Sequence, residues 1–322
     1  MNWMKVLAKI LLWAVVCAAA LAALGAALFY YYVYAPAPGP PQLSGTLTRS
    51  TFEFDGLRRS YSIYLPQDLP PNPPLVLALH GSDGSASRMR IETGYAFERL
   101  ADQHGFALVY PNGFEGNWNG CNILGEYSAN ARDIDDVGFP SALIDRQIVD
   151  VGADPHRVFG IGVSRGGHMA FRLALEAPSR FRAVAAVAAN LPAADNFKCH
   201  PNEEAGTSVM IMNGVRDPMN PFEGGEVRLL GLYNRGSVLS ALASAQYFAR
   251  LNGLADAPTI SSSAGIERRV WRNGAVEIEL AAIKQGGHSL PQSYRRAPRI
   301  LGPTAQFDGP NEIWTFFESQ SQ

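Results

Sequence analysis

The run V-F-G-I-G-V-S-R-G-G-H-M-A-F-R, residues 158–172, admits few backbone paths. Residues 158–163 are a short apolar segment of the kind that forms a buried strand. Gly162, Ser164 and Gly166 then follow a G-x-S-x-G pattern, and Met169, Ala170, Leu173 and Ala174 recur at helical spacing. Strand, sharp turn and helix are the setting of a nucleophile elbow, in which a strained turn projects the serine hydroxyl outward. Glycines at both flanks remove side chains that would strike neighbouring backbone. The helix that follows points its N-terminus at the site, where it favours developing negative charge. The same pattern also arises in glycine-rich turns whose serine is idle, so the role of Ser164 depends on its partners.

Other apolar runs predict strands at residues 75–79, 106–110, 183–189, 208–213 and 276–283. Residues 51–55 and 59–65 flank Asp55-Gly56, a hairpin signal. Helical patterns cover residues 95–104, 137–151, 241–251 and 312–318, and a loop rich in Gly, Asn and Trp covers 114–126. An initial hairpin followed by apolar strands alternating with helices predicts a mostly parallel central sheet with helices on both faces.

A serine nucleophile needs a base, and the base needs an orienting carboxylate. In open sheets of this kind, functional groups gather at the carboxyl ends of strands. Asp217 follows the strand at 208–213, and His288 follows the strand at 276–283 on a Gly-Gly-His loop. The chain order Ser, Asp, His is the one that accompanies an elbow. Of the other histidines, His104 and His156 read as surface residues, His168 as packed on the elbow helix, and His200 as a loop residue. Asp133, Asp135 and Asp136 are rival carboxylates, but they precede the elbow and read better as caps for the helix near Val137. The oxyanion would be held by two backbone N–H groups, those of Arg165 and Ser82. His80 reads as a structural residue of the turn that carries Ser82.

Lys5 and Lys9 precede a stretch without charges at residues 10–34, long enough to span a bilayer core of ~30 Å. Tyr30, Tyr31, Tyr32 and Tyr34 stand at its far end, where an aromatic belt forms. The lysines predict a cytoplasmic N-terminus and an exported remainder. A cleaved signal peptide is the competing reading, with small residues at 18–27; the length of the run favours a retained transmembrane anchor at 1–34. Val16 is too bulky for lipoprotein processing at Cys17. A Pro-rich linker at 35–48 would act as a semi-rigid spacer, leaving 49–322 as the folded domain. Cys121 and Cys199 either form one disulfide, as export permits, or stand as two separate buried thiols. A net charge of −2 and the lack of a basic stripe exclude a nucleic-acid partner.

Several motifs together resemble the polyhydroxybutyrate depolymerase and feruloyl esterase group of α/β hydrolases. They are Leu79-His80-Gly81, Tyr110-Pro111-Asn112-Gly113, Asn117-Trp118-Asn119, Asp135-Asp136-Val137-Gly138-Phe139 and Asp154-Pro155-His156-Arg157-Val158. Gly162 to Gly167, Asn213 to Pro218 and Gly286-Gly287-His288 complete the set, in family order across residues 50–320. The resemblance implies the α/β-hydrolase fold and a serine esterase that needs no cofactor and no metal. It carries over Ser164 as nucleophile, Asp217 as orienter and His288 as base, and it implies a polyester oligomer or an aromatic ester as substrate. The chain departs from the family at Ser289-Leu290-Pro291, where Trp-Pro is usual, and at Arg165, where Asn or a small residue is common. These departures, the membrane anchor and the lack of a further domain after residue 322 shift the expectation toward small soluble or envelope-derived esters.

The expected chemistry is acyl transfer to Ser164 and then to water. Trp118 and Asn112 are candidate pocket residues, with core packing the alternative for Trp118. Arg165 would favour an anionic substrate or be a solvated helix-start residue. A serine peptidase, an envelope acyltransferase and a silent binding module are the other classes this pattern permits. A complete triad order argues against the last. No two histidines stand at metal-ligand spacing.

Overall fold

The apolar runs become the centre of a sheet in a computed structural model that describes residues 2–125, 127–202, 206–229, 233–255, 257–274 and 276–321. In chain order the elements begin with α1 (Asn2–Tyr32), β1 (Thr46–Phe54), β2 (Leu57–Leu65), β3 (Leu75–Leu79), α2 (Ala86–Glu92), α3 (Ala96–His104) and β4 (Ala107–Pro111). They continue with α4 (Ser128–Ala131), α5 (Gly138–Val151), β5 (Val158–Val163), α6 (Arg165–Glu176), β6 (Ala183–Val187) and β7 (Ser208–Gly214). The last are β8 (Gly225–Leu229), β9 (Tyr233–Val238), α7 (Ala241–Leu251), β10 (Thr259–Ser263), β11 (Ile266–Arg272), β12 (Glu277–Ile283) and α8 (Gly309–Ser319).

Among the described residues the main sheet runs β1-β2-β4-β3-β5-β6-β7-β12-β11-β10. The strands from β4 through β12 in that order are parallel, with antiparallel hairpin strands added at each edge. This is the α/β-hydrolase fold predicted from the sequence, with two additions. Strands β10 and β11 extend the sheet, and β8 and β9 form a separate ribbon. Neither has a continuous apolar run: β10 reads T-I-S-S-S and is exposed throughout.

Alternate residues of each central strand feed opposite faces, as the pleat requires. Leu75, Leu77 and Leu79 join the layer under α5, α6 and α7, where Phe139, Leu143, Phe171 and Phe248 pack. Val76 and Ala78 join the other layer, with Met89, Phe97, Trp314 and Phe317 from α2, α3 and α8. The chain leaves β3 toward β4 on one side and returns past it to β5 on the other. That reversal puts a crevice at the carboxyl ends of β3 and β5, the usual place for a ligand in such sheets.

Helix α1 has a mean hydropathy of 2.4 over its best window and no burial, which fits a transmembrane or signal helix. The Arg299 guanidinium sits 4.0 Å from the Tyr31 ring. The expected linker at 35–48 is shorter than predicted, because β1 starts at Thr46. Ser44 bonds Asp102 through both its N–H and its hydroxyl at 2.8 Å, and the Gly45 N–H donates to the Tyr64 hydroxyl at 2.7 Å.

Candidate active site

Ser164 sits between β5 and α6 at φ 56° and ψ −116°, a backbone conformation that a non-glycine residue rarely holds. Its N–H donates to the Val187 carbonyl at 2.8 Å, which ties the turn to the end of β6. The flanking glycines are required by close approach. A Cβ on Gly162 would collide with the Gly166 carbonyl, and one on Gly166 with the Leu79 carbonyl.

The structure brings the three sequence-predicted residues into one line. His288 Nε2 lies 2.8 Å from Ser164 Oγ, and His288 Nδ1 lies 2.8 Å from Asp217 Oδ2. The other oxygen of Asp217 accepts the N–H groups of Met219 and Asn220, both at 2.8 Å. Those bonds lock the carboxylate, so it orients the ring with Nδ1 protonated and the Nε2 lone pair facing the serine. The His288 loop is held by backbone bonds from Gly287 to Pro303 and from His288 to Leu301, at 2.7 and 2.6 Å. The histidine side chain is 11% exposed and that of the aspartate 1%, so access is from the serine side.

A cleft of about 350 Å³ lies above Ser164. Ser82 and Arg165 line it, and neither backbone N–H has an acceptor among the described residues. A Cβ on Gly81 would come within 3.6 Å of Ser164 Cβ, so the loop after β3 runs alongside the nucleophile. His80 holds this loop from beneath. It is fully buried, its Nδ1–H donates to the Gly81 carbonyl at 2.7 Å, and its Nε2 accepts the Gly113 N–H at 2.9 Å. Burial pulls its pKa down to about 4.

Three expectations require correction. Trp118 is core, not pocket: it is fully buried, lies tilted against His80 with ring centroids 5.0 Å apart, and donates its indole N–H to the His80 carbonyl. Asn112 is also off the cleft wall, because its amide is consumed by Ala86 N–H at 2.7 Å and Ser60 Oγ at 3.0 Å. Arg165 is neither solvated nor free for substrate. It is buried, with Nε on the Trp118 carbonyl at 2.8 Å and its Nη groups on the side-chain carbonyls of Asn122 and Asn130.

Of the rival carboxylates, Asp135 does cap α5 by accepting the Gly138 N–H at 2.7 Å. Asp136 instead forms a buried ion pair with Arg59 at 2.7 Å, and Asp133 accepts from the Asn119 side chain at 3.0 Å. Cys121 and Cys199 are joined in a disulfide with Cα atoms 4.9 Å apart. It fixes the loop carrying Asn122 to the segment after β6. His168 reaches the cleft; burial first, then the charges of Arg165 and His288, pull its pKa down to about 3, so it is neutral. Tyr127, Asn196, Met219, Arg235, Leu290 and Arg295 also line the cleft. They come from loops and the β8–β9 ribbon, where no periodicity marks them.

This architecture is that of the α/β hydrolases, and the comparisons with known proteins support a carboxylic ester hydrolase. The chain matches the model of the family described as Esterase PHB depolymerase over residues 59–196, in keeping with the resemblance seen in its motifs. It is 29% identical to "Putative esterase NocK" of Nocardia uniformis subsp. tsuyamanensis over 84% of this chain and 82% of that protein. It is 28% identical to a probable feruloyl esterase C of Aspergillus niger over 56% of this chain and 62% of that one. Among solved structures, the acetyl xylan esterase from Aspergillus awamori shares the fold at a TM-score of 0.60 and 17% identity, over 85% of this chain and all of that one.

Proposed function

We propose that this chain is a serine esterase that cleaves carboxylic esters through an acyl-enzyme on Ser164. The reading rests on the continuous hydrogen-bonded line from Ser164 through His288 to Asp217, 2.8 Å at each step. His288 takes the serine proton as the hydroxyl attacks the ester carbonyl. Negative charge then develops on the carbonyl oxygen, where the amides of Ser82 and Arg165 receive it. His288 passes its proton to the leaving alcohol, and water repeats the cycle on the acyl group. Asp217 stabilises the imidazolium at both stages and keeps the resting ring proton on Nδ1, which leaves Nε2 free to take the serine proton. No cofactor enters these steps.

The substrate is a small acyl or aromatic ester, in line with the size of the cleft and the names of the relatives. The apolar α1 and the Cys121–Cys199 disulfide support export, with α1 as a membrane anchor and the catalytic domain outside. That domain starts with β1 and runs to the end of α8.

The test is hydrolysis of 4-nitrophenyl acetate, 4-nitrophenyl butyrate and methyl ferulate by the full chain in detergent, beside its Ser164→Ala variant. The variant is expected to lose at least ~10⁴-fold in kcat while its circular dichroism is unchanged. Equal turnover by the two proteins would overturn the assignment.

A further inference from the structure

Arg165 is the cation nearest the nucleophile in sequence, but its donors are spent on Trp118, Asn122 and Asn130. Arg235, from β9, differs. Its guanidinium lies 4.4 Å from the centroid of the Tyr127 ring, the same ring that Arg165 faces at 4.4 Å. Among the described residues its side chain has no ion pair and no hydrogen bond, and its Nε is closed off from solvent without an acceptor. The carboxylates that line the cleft, and Asp195 beside the cleft residue Asn196, are engaged elsewhere. Glu92 holds Arg88 at 2.7 Å, Asp83 accepts from Asn117 at 3.0 Å, and Asp195 accepts from Ser237 at 2.6 Å. Arg295, on the loop after His288, reaches the same cleft with its own Nε buried and unpaired.

A half-buried cation without a counter-charge is costly, and the cost is recovered when an anion docks on it. The cleft therefore carries a positive surplus in a chain whose net charge is −2. Tyr127 links that surplus to the reaction centre, because its ring carries Arg235 and its hydroxyl meets Ser82 Oγ at 2.9 Å. Apolar walls from Met219, Leu290 and Leu301 remain for the hydrocarbon part of a ligand.

We propose that Arg235 is a specificity residue that pairs with a carboxylate on the substrate, so that the preferred ester is a monoanion. This deepens the esterase reading and rests on it. Arginine presents a planar fork that matches a carboxylate with two parallel bonds. The carboxylate belongs either to the acyl part, as in a monoester of a dicarboxylic acid, or to the alcohol part.

Two substrate pairs separate those sources, measured with the full chain in detergent. For the acyl side the pair is mono-4-nitrophenyl adipate against 4-nitrophenyl hexanoate. For the alcohol side it is (butyryloxy)acetate against ethyl butyrate. The intact protein is expected to favour the anion of one pair in kcat/KM by ~10-fold or more. Arg235→Gln is expected to lower that anion-to-neutral ratio by the same factor, mainly through KM, and Arg235→Lys to restore part of it. No preference in either pair, or an unchanged ratio in Arg235→Gln, overturns the proposal. Calorimetric binding of adipate monoester to Ser164→Ala, with and without Arg235→Gln, gives the same answer without turnover. If no ester is hydrolysed at all, the esterase reading fails, while Arg235-dependent binding still decides the anion site.

Discussion

Acid should loosen the oxyanion loop through a single buried ring. His80 carries no exposed surface, and its two nitrogens serve opposite roles. The Gly113 N–H can only donate, so Nε2 must stay unprotonated to accept it, and the proton resides on Nδ1 toward Gly81. A second proton would put a charge where burial disfavours it and would break the Gly113 bond. The folded-state pKa of about 4 lies below the ordinary 6.5. Above 6.5 both folded and unfolded chains hold a neutral ring, and the stabilisation is complete. As pH falls from 6.5 toward 4 the unfolded chain takes up the proton first, so stability is lost through that window. The full gap is worth about 3 kcal/mol, of which about 2.5 kcal/mol is gone by pH 4.5.

The assay is urea unfolding at a series of pH values for the native chain and for His80→Gln, whose side-chain oxygen can still accept from Gly113. At pH 7.5 the variant should be less stable by about 1–2 kcal/mol, from the lost Gly81 bond and the ring contact with Trp118. That deficit should shrink and then reverse toward pH 4.5, a swing of about 2.5 kcal/mol. Other titrating groups cancel in the difference. A deficit that stays constant across the range would refute the argument that His80 is held neutral by its surroundings.

Glu279 works with the opposite sign. Its pKa is raised to about 7 by burial first, with Glu277 and Glu312 adding to it against Arg268. The fold keeps the proton that the unfolded chain releases, so its contribution falls as pH rises from 4.5 to 7. Glu279→Gln should be more stable than the native chain at pH 8 by about 1–3 kcal/mol and equal to it near pH 4, read from the same urea curves. Removing the disulfide with Cys121→Ser and Cys199→Ser frees a loop with a sequence separation of 78. Calorimetry should show a loss of about 4.5 kcal/mol at most, and ester turnover should fall as Asn122 loses its hold on Arg165. An unchanged melting temperature would mean the bond constrains nothing.

The parts of the fold that were legible in the sequence are those with a one-dimensional signature. Five- to seven-residue apolar runs announce strands buried on both faces, and β3, β5, β6 and β7 are of that kind. Strand β11 reads I-E-R-R-V-W-R, with neither an apolar run nor a period of two, and β8 and β9 are short and polar, so periodicity passes over them. The Ser164, Asp217 and His288 constellation was legible because each residue follows a strand and the chain order is restrictive. The fate of Arg165 was not. Its acceptors, Trp118, Asn122 and Asn130, lie far upstream and meet it only because the sheet brings β4 and α6 to one end. Trp118 and Asn112 illustrate the same limit. An aromatic or an amide in a glycine-rich loop suits a ligand or the core equally well until its neighbours are known.

The docking of Ser44 and Gly45 on Asp102 and Tyr64 leaves little free tether. Fully extended, the chain between Tyr34 and Leu43 reaches at most ~30 Å. If α1 is retained in a bilayer, as proposed above, the folded domain is confined to a shell about one small-domain diameter deep. Its encounter rate is then set by the areal density of esters at or near that surface, and a dilute ester enriched there is met far more often than one dissolved in the bulk.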